Sequence, residues 1–188
     1  MKKIILITGG QRSGKSTKAE ELALNMSEHP VYLATAHIWD DEFRERVRRH
    51  QEHRGPQWTN IEEERWLSRH DVTGRVVVID CVTLWLTNLF FENSKNSEYT
   101  ENSQYSDCSD VDRTLQQAKE EFDKFTKADA TYIFVTNEIG LGGVSDNAIQ
   151  RKFTDLQGWM NQYIVSKADE VILMVSGIEV KVKVNSEK

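Results

Sequence analysis

The sequence predicts an α/β protein in which a mostly parallel β-sheet is flanked by helices. Short apolar runs of strand length alternate along its 188 residues with longer segments of helical period, which is the spacing of repeated β-α-β units. Most of these runs are continuously apolar, as buried strands of a parallel sheet are. The length is typical of one domain, which we expect to span residues 1–188.

Six strands are expected, and we predict that the last of them runs antiparallel to the others. They cover residues 4–8, 31–34, 75–80, 132–136, 171–175 and 179–182. Between them we expect five helices, several opened by an Asp, Ser or Thr cap, at residues 14–27, 40–51, 83–91, 111–127 and 146–167.

One polar stretch, residues 92–110, departs from this alternation. It consists almost wholly of Asn, Ser, Glu, Tyr, Gln and Asp, so it has too little apolar surface to offset the entropy cost of ordering. We predict a mobile surface insertion here, which either acts as a lid or is merely tolerated.

Composition excludes several classes of protein. The 24 Lys and Arg residues against 30 Asp and Glu give a net charge of −6 at pH 7, which disfavours nonspecific binding to nucleic acids. The longest apolar runs reach only about eight residues, against about 18 for a membrane span. Cys81 and Cys108 form neither a disulfide framework nor a zinc pattern. We therefore expect a cytoplasmic protein without a membrane span.

The strongest motif follows the first strand and opens the first helix. It matches G-x-x-x-x-G-K-S, the phosphate loop (P-loop) of nucleoside triphosphate-binding proteins. Glycines let backbone N–H groups wrap a phosphate, the lysine reaches the β and γ oxygens, and the serine holds Mg²⁺. The predicted nucleotide-binding residues are Gly9, Gly10, Gln11, Arg12, Ser13, Gly14, Lys15 and Ser16.

Asp80 ends the third predicted strand, at the edge where open α/β sheets bind ligands. We predict that it holds Mg²⁺ together with Ser16. The alternative is that Asp80 caps the helix that begins near Thr83.

A histidine stands in an arginine-rich segment of this otherwise acidic chain. Phe43, Val47 and His50 share one helical face, with arginines around them that could meet polyphosphate. A neutral imidazole there could attack phosphorus, but composition alone favours a buried structural histidine. A metal site built on His50 and His53 is less well supported, because no third ligand has suitable spacing.

These segments together resemble the bifunctional adenosylcobinamide kinase/adenosylcobinamide-phosphate guanylyltransferases of cobalamin biosynthesis. The resemblance is collinear over nearly the whole chain. It rests on residues 8–16, 32–36 and 40–42, the element Arg46-Val47-x-x-His50-x-x-x-Arg54, Trp58, Glu62, and residues 80–89, 135–142, 161–162 and 168–177.

The resemblance implies two activities in a P-loop fold. The cobinamide hydroxyl is phosphorylated by ATP or GTP, and GMP is then transferred from GTP onto that phosphate, giving adenosylcobinamide-GDP and pyrophosphate. It also implies that His50 becomes guanylylated, that Lys15 and Asp80 assist catalysis with Mg²⁺, and that His53, Arg54 and Glu62 join the nucleotide site. A homotrimer is implied as well.

Several alternatives stay open at the level of sequence. The chain could be a simple small-molecule or nucleotide kinase with a structural His50, or a nucleotide-dependent regulatory binding protein that uses the insertion to bind a partner. Glu62 could belong to a solvated acidic face. Asn137 and Glu138 could contact cobinamide or cap a turn, and Trp85 and Trp159 could stack on the corrin ring, although packing is the more usual role of such residues.

Overall fold

The computed structural model describes residues 1–37, 45, 48, 54–96 and 109–184. The strands are β1 (Lys3–Gly9), β2 (Val31–Ala34), β3 (Thr59–Glu62), β4 (Val76–Asp80), β5 (Thr131–Val135), β6 (Glu170–Val175) and β7 (Ile178–Val184). The α-helices are α1 (Lys15–Met26), α2 (Val82–Asn96), α3 (Ser109–Phe125) and α4 (Ala148–Lys167), and short 3-10 helices cover Leu67–Arg69 and Ile139–Gly142.

The seven strands form one sheet in the order β3-β2-β4-β5-β1-β6-β7. All neighbouring strands are parallel except β6 and β7, which pair antiparallel. This arrangement confirms the predicted α/β class and the antiparallel last strand. It also places β5 directly between β1, which leads into the phosphate loop, and β4, which ends at Asp80.

Helices pack on both faces of the sheet, so the central strands are apolar on both sides. Leu6 of β1 shares a buried cluster with Phe122 of α3 and Met160 of α4. The next residue, Ile7, belongs to a second cluster with Ala19 of α1. Because side chains alternate across a strand, the two clusters lie on opposite faces. We call them the α3/α4 face and the α1 face.

Strand β3 is missing from the sequence prediction. It pairs with β2 at the outer edge of the sheet, where Ile61 is its single large apolar residue and Thr59, Asn60 and Glu62 are exposed. An edge strand with one apolar side chain lacks the periodicity that identifies strands, so only its backbone pairing reveals it.

Helix α2 continues beyond the predicted end at residue 91, into the polar stretch. Its last turns are supported by tertiary contacts that composition does not reveal. Glu92 forms an ion pair with Arg65 at 2.6 Å, and the Asn93 amide donates to Thr114 Oγ1 at 3.0 Å and to Gln117 Oε1 at 2.8 Å. The remainder of the stretch, residues 97–108, lies outside the described residues.

The predicted helix at residues 40–51 lies almost wholly outside the described residues. Only Glu45 and Arg48 are described in that segment, and they form an ion pair at 2.6 Å. The other helices match their predictions to within a few residues at their ends. Within the described parts of the chain, no helix is both long enough and apolar enough to cross a membrane.

Glu63 offers a test of the connection between β3 and the following 3-10 helix. Its carboxylate accepts from the backbone N–H groups of Arg65 and Trp66 at 3.0 and 2.9 Å, and His70 Nε2 lies 3.4 Å from it. Burial tends to raise the pKa of Glu63, but these donors outweigh that effect and lower the pKa below its usual value.

A carboxyl group whose pKa is lowered by folding stabilises the protein above its unfolded pKa, and this stabilisation is lost as the pH falls through the folded pKa. We expect Glu63→Gln to reduce the free energy of unfolding by about 1 kcal/mol at pH 7. The deficit should shrink below about pH 4.5. Urea titrations at several pH values measure it, with the exposed Glu28→Gln as control, and a deficit independent of pH would contradict the assignment.

Candidate active site

The phosphate loop, residues 9–16, turns from β1 into α1 through two glycines with positive φ. Gly9 and Gly14 have φ of 150° and 94°. A Cβ on Gly9 would lie 2.4 Å from the carbonyl oxygen of Met174 in β6, so the loop's first residue must be glycine. The loop therefore fits closely against the neighbouring strand.

The turn between β6 and β7 holds the loop from outside. Gly177 N donates to Ser13 O at 3.0 Å, and a Cβ on Gly14 would be only 3.5 Å from the Gly177 Cα. Lys18 of α1 forms an ion pair with Glu179 of β7 at 2.5 Å. These contacts fix the loop from the side opposite to β5.

Lys15 lies inside the loop. Its Nζ donates to Gly10 O at 2.5 Å and is 3.5 Å from Ser13 Oγ. Burial lowers the pKa of Lys15, although the nearby Cys81 and Asp80 act in the opposite direction. A lysine that has lost part of its hydration gains more from an anionic partner than an exposed lysine does.

The start of α1 is left open to a ligand. Its N-cap is Gly14, which has no side chain to accept from the first N–H groups, and the first turn contains no acidic residue. Within the described ranges these N–H groups therefore have no side-chain cap. Unpaired N–H groups together with the helix dipole form an anion-binding site.

Asp80 lies at the carboxyl end of β4 and is held by a tyrosine. Tyr32, from the neighbouring strand β2, donates its buried hydroxyl to Asp80 Oδ2 at 2.6 Å. Burial, with the adjacent carboxylate, raises the pKa of Tyr32 far above its usual value, so it stays a donor. The neighbouring Cys81 is a free thiol whose pKa burial raises to about 12.

Arg54 belongs to the same cluster and packs on the face of the Tyr32 ring. Its guanidinium carbon lies 3.5 Å from the centroid of the Tyr32 ring, and the side chain is only 3% exposed. It donates to Asn60 Oδ1 at 3.1 Å and lies 3.5 Å from Glu20 Oε1. Arg54 is thus a buried side chain that joins Tyr32 of β2, Asn60 of β3 and Glu20 of α1.

A cavity of about 460 Å³ opens at the carboxyl ends of β2 and β3. Glu62 lies in its wall, together with Glu64, Arg65 and His37, whose Nδ1 is 2.7 Å from Glu64 Oε1. Glu62 is thus an exposed residue in the wall of an open cavity. A metal site made of protein side chains alone would need a group of three or more His, Cys, Asp or Glu residues, and no such group occurs among the described residues.

Glu138 follows β5 and contacts the carboxyl end of the neighbouring strand β1. Its backbone N–H donates to Gly9 O at 3.2 Å, and its Oε1 accepts from Thr8 Oγ1 at 2.5 Å and from Asn161 Nδ2 at 3.3 Å. Asn137 instead turns to Thr83, donating from its backbone and side chain at 3.2 and 3.1 Å. Sequence analysis singles out both residues but gives no partner for either.

The structure brings together some of the predicted site residues. Lys15 and Asp80 lie close enough to interact electrostatically, and Arg54 reaches Asp80 through Tyr32. The predicted catalytic residue His50 and the predicted nucleotide-binding residue His53 lie outside the described residues. Tyr32 is the site residue that sequence analysis missed, because a tyrosine inside a buried strand resembles ordinary core.

The two tryptophans differ in their surroundings. Trp85 is fully buried, and its indole N–H donates to Arg65 O at 2.9 Å, so it packs inside the protein. Trp159 on α4 is 45% exposed. Stacking of Trp159 on the corrin ring stays a prediction.

Comparison with known proteins identifies the family. The profile of the family described as cobinamide kinase/cobinamide phosphate guanyltransferase matches residues 5–182. The chain is a member of that family. Its relatives include the bifunctional adenosylcobalamin biosynthesis protein CobU of Escherichia coli (strain K12). The two are 36% identical in an alignment of 186 positions that covers 96% of this chain and 99% of that protein. The protein of the same name from Salmonella typhimurium is 34% identical, in an alignment that covers 96% of this chain and 99% of that protein.

Membership in the cobinamide kinase/cobinamide phosphate guanyltransferase family confirms the predicted enzyme class, a bifunctional kinase and nucleotidyltransferase. The fold agrees with it. A solved ATPase from the type III secretion system of pathogenic bacteria superposes with a TM-score of 0.55 at 13% identity, over 93% of this chain and 52% of that one. This likeness confirms the P-loop fold.

We expect Tyr32→Phe to lower the free energy of unfolding by about 1.5–3 kcal/mol, because it removes a buried hydrogen bond to a carboxylate. The ring beneath Arg54 is kept. Tyr163→Phe is the matched control, since its hydroxyl donates to Asp123 at 2.7 Å on the surface and should cost less than about 0.5 kcal/mol. Urea titrations measure the free energy of unfolding of both variants. Equal decreases would show that the hydrogen bond to Asp80 stabilises the protein no more than the surface bond to Asp123 does.

Proposed function

We propose that guanylyl transfer in this enzyme proceeds through a covalent intermediate on His50. The imidazole attacks the α-phosphorus of GTP, a P–N bond forms, and the bond to the bridging oxygen of pyrophosphate breaks. A phosphate oxygen of adenosylcobinamide phosphate then attacks the same phosphorus and the P–N bond breaks. The products are adenosylcobinamide-GDP and free His50.

The observation that carries this proposal is the anchoring of Arg54 on Tyr32, whose hydroxyl binds Asp80. His50 precedes Arg54 by only four positions, so chain geometry limits their Cα separation to about 14 Å. The anchored Arg54 lies close to Asp80, which in turn interacts electrostatically with Lys15 of the phosphate loop.

The phosphate-loop residues serve as the triphosphate site in this proposal. The backbone of residues 9–14 and the open start of α1 surround the phosphates, and Lys15 neutralises charge on the departing pyrophosphate or on the transferred γ-phosphoryl group. His53, Arg54 and Glu62 complete the guanine nucleotide site. Glu62 is suited to it by its position in the wall of the cavity beside β2.

The residues present fit a Mg²⁺ ion at the loop. Oxygen ligands from a hydroxyl and a carboxylate, completed by phosphate and water, suit this cation. Ser16 would supply the hydroxyl and Asp80 the carboxylate, of which Oδ2 is held by Tyr32. Such an ion neutralises phosphate charge during phosphoryl transfer.

We further propose that the enzyme acts as a homotrimer in the cytoplasm, on a small corrinoid substrate and with ATP or GTP as phosphoryl donor. Family likeness supports the trimer, and the free buried thiol of Cys81 fits a reducing compartment. Light scattering of the purified protein measures the oligomeric state directly.

The covalent step is tested with Mg²⁺ and GTP labelled at the α-phosphate. The parent protein should retain label that is lost in acid and kept in base, as a phosphoramidate is, and His50→Ala should retain none. His29→Ala, an exposed histidine at the end of α1, should label like the parent. An unlabelled parent that still transfers the γ-phosphate would make His50 structural and would favour the simple-kinase alternative.

A second test concerns the phosphate loop. Lys15→Ala should reduce both half-reactions by about 10²–10³-fold, because both pass through the same triphosphate site. Lys127→Ala, at an exposed lysine beyond α3, should leave both rates unchanged. Full activity of Lys15→Ala in either half-reaction would show that this half-reaction does not depend on Lys15 of the phosphate loop.

A further inference from the structure

A carboxylate is positioned between the two strands that lead to the phosphate loop and to Asp80. Glu138 follows β5, whose neighbours are β1 and β4. The hydrogen bond from Glu138 N to Gly9 O joins it to the first residue of the loop. None of the steps described so far uses this side chain.

One oxygen of this carboxylate is firmly held. Oε1 accepts from Thr8 Oγ1 and from Asn161 Nδ2. Asn161 is itself buried, and its Oδ1 accepts from Thr136 Oγ1 at 2.8 Å and from Gln157 Nε2 at 2.9 Å. This buried network fixes the orientation of the carboxyl group, while its second oxygen takes no recorded hydrogen bond from the described residues.

The residues that hold Glu138 lie on the α3/α4 face of the sheet. Thr8 follows Leu6 by two residues and so points to the α3/α4 face, on which Asn161 of α4 also lies. The start of α1, where phosphates bind, belongs to the opposite face. In an in-line phosphoryl transfer the acceptor approaches opposite the leaving group. The carboxylate lies beside Gly9 at the start of the loop, where it is suited to meet an acceptor hydroxyl that approaches the γ-phosphorus from the side opposite the leaving group.

We propose that Glu138 is the general base of the kinase half-reaction. The acceptor hydroxyl gives its proton to Glu138 Oε2 as its oxygen bonds to the γ-phosphorus. The bond from that phosphorus to the β-bridging oxygen breaks, and the nucleoside diphosphate leaves. The protonated carboxyl group then releases its proton to water. Thr8 and Asn161 act as positioning residues through Oε1.

This inference rests on the kinase activity, and it separates the two half-reactions. In the kinase step the acceptor is an alcohol, which must lose a proton. In guanylyl transfer the acceptor is a phosphate, which is already ionised and needs no base. Loss of Glu138 should therefore affect only the first reaction.

The test measures both half-reactions in one preparation of Glu138→Gln. This variant keeps an oxygen that can accept from Thr8 and Asn161 but cannot take up the substrate proton. We expect kcat for phosphorylation of adenosylcobinamide to fall by about 10²–10⁴-fold. The rate of guanylyl transfer to supplied adenosylcobinamide phosphate should stay within about threefold of the parent rate. Glu28→Gln, a surface variant, is the control, and both of its rates should stay within the same limit.

The other outcomes overturn the inference. A Gln variant that retains phosphorylation shows that Glu138 is no base, and equal loss of both half-reactions shows that it is structural. Failure of the parent enzyme to phosphorylate adenosylcobinamide would instead count against the kinase activity itself.

The positioning role has its own readout. Thr8→Val should lower kcat of the kinase step by about tenfold with KM for adenosylcobinamide little changed, because it loosens the base without touching the substrate. Thr8→Ser, which keeps the hydroxyl, should restore it. The rate of guanylyl transfer should be unaffected by either change. An equal fall in that rate would show that Thr8 supports the phosphate loop and does not position Glu138.

Discussion

Parallel hydrogen bonding of β4, β5 and β1 is the constraint on which the site depends. Their register sets Asp80 beside Val135 and Val135 beside Ile7, so the chain leaves all three strands at the same level. Parallel neighbours bring their carboxyl ends to one edge, where open α/β sheets bind ligands. The pairing of these three strands therefore brings the phosphate loop, Asp80 and Glu138 to the same edge of the sheet.

Keeping charged groups at this edge requires partners, because a partly buried charge without one is costly. Two solutions appear on opposite faces of the sheet. On the α1 face, Tyr32 links Asp80 to the buried Arg54, whose own charge lies near Glu20. On the α3/α4 face, neutral donors from Thr8 and Asn161 hold Glu138. The first arrangement pairs charges, whereas the second leaves a net negative group facing outward.

Most of the fold could be predicted from the sequence because its central strands are continuously apolar and its phosphate loop has a fixed spacing. The prediction misses β3, where Ile61 alone carries the apolar signal, and it ends α2 too early because Asn93 is stabilised by Thr114 across the fold. Lys15, Ser16 and Asp80 could be found by motif and position. The partners that orient the carboxylates could not, since Thr8 and Glu138 are 130 positions apart and only the register of β1 and β5 unites them.

The bond from Gly177 to Ser13 gives the β6–β7 hairpin a relation to the nucleotide that its sequence does not suggest. The hairpin supplies none of the proposed catalytic groups, yet one of its backbone N–H groups donates to the phosphate loop. Exchange of that single amide with solvent deuterium reports how often the loop loosens. The hairpin thereby provides a spectroscopic reporter on the phosphate loop from outside the loop's own sequence.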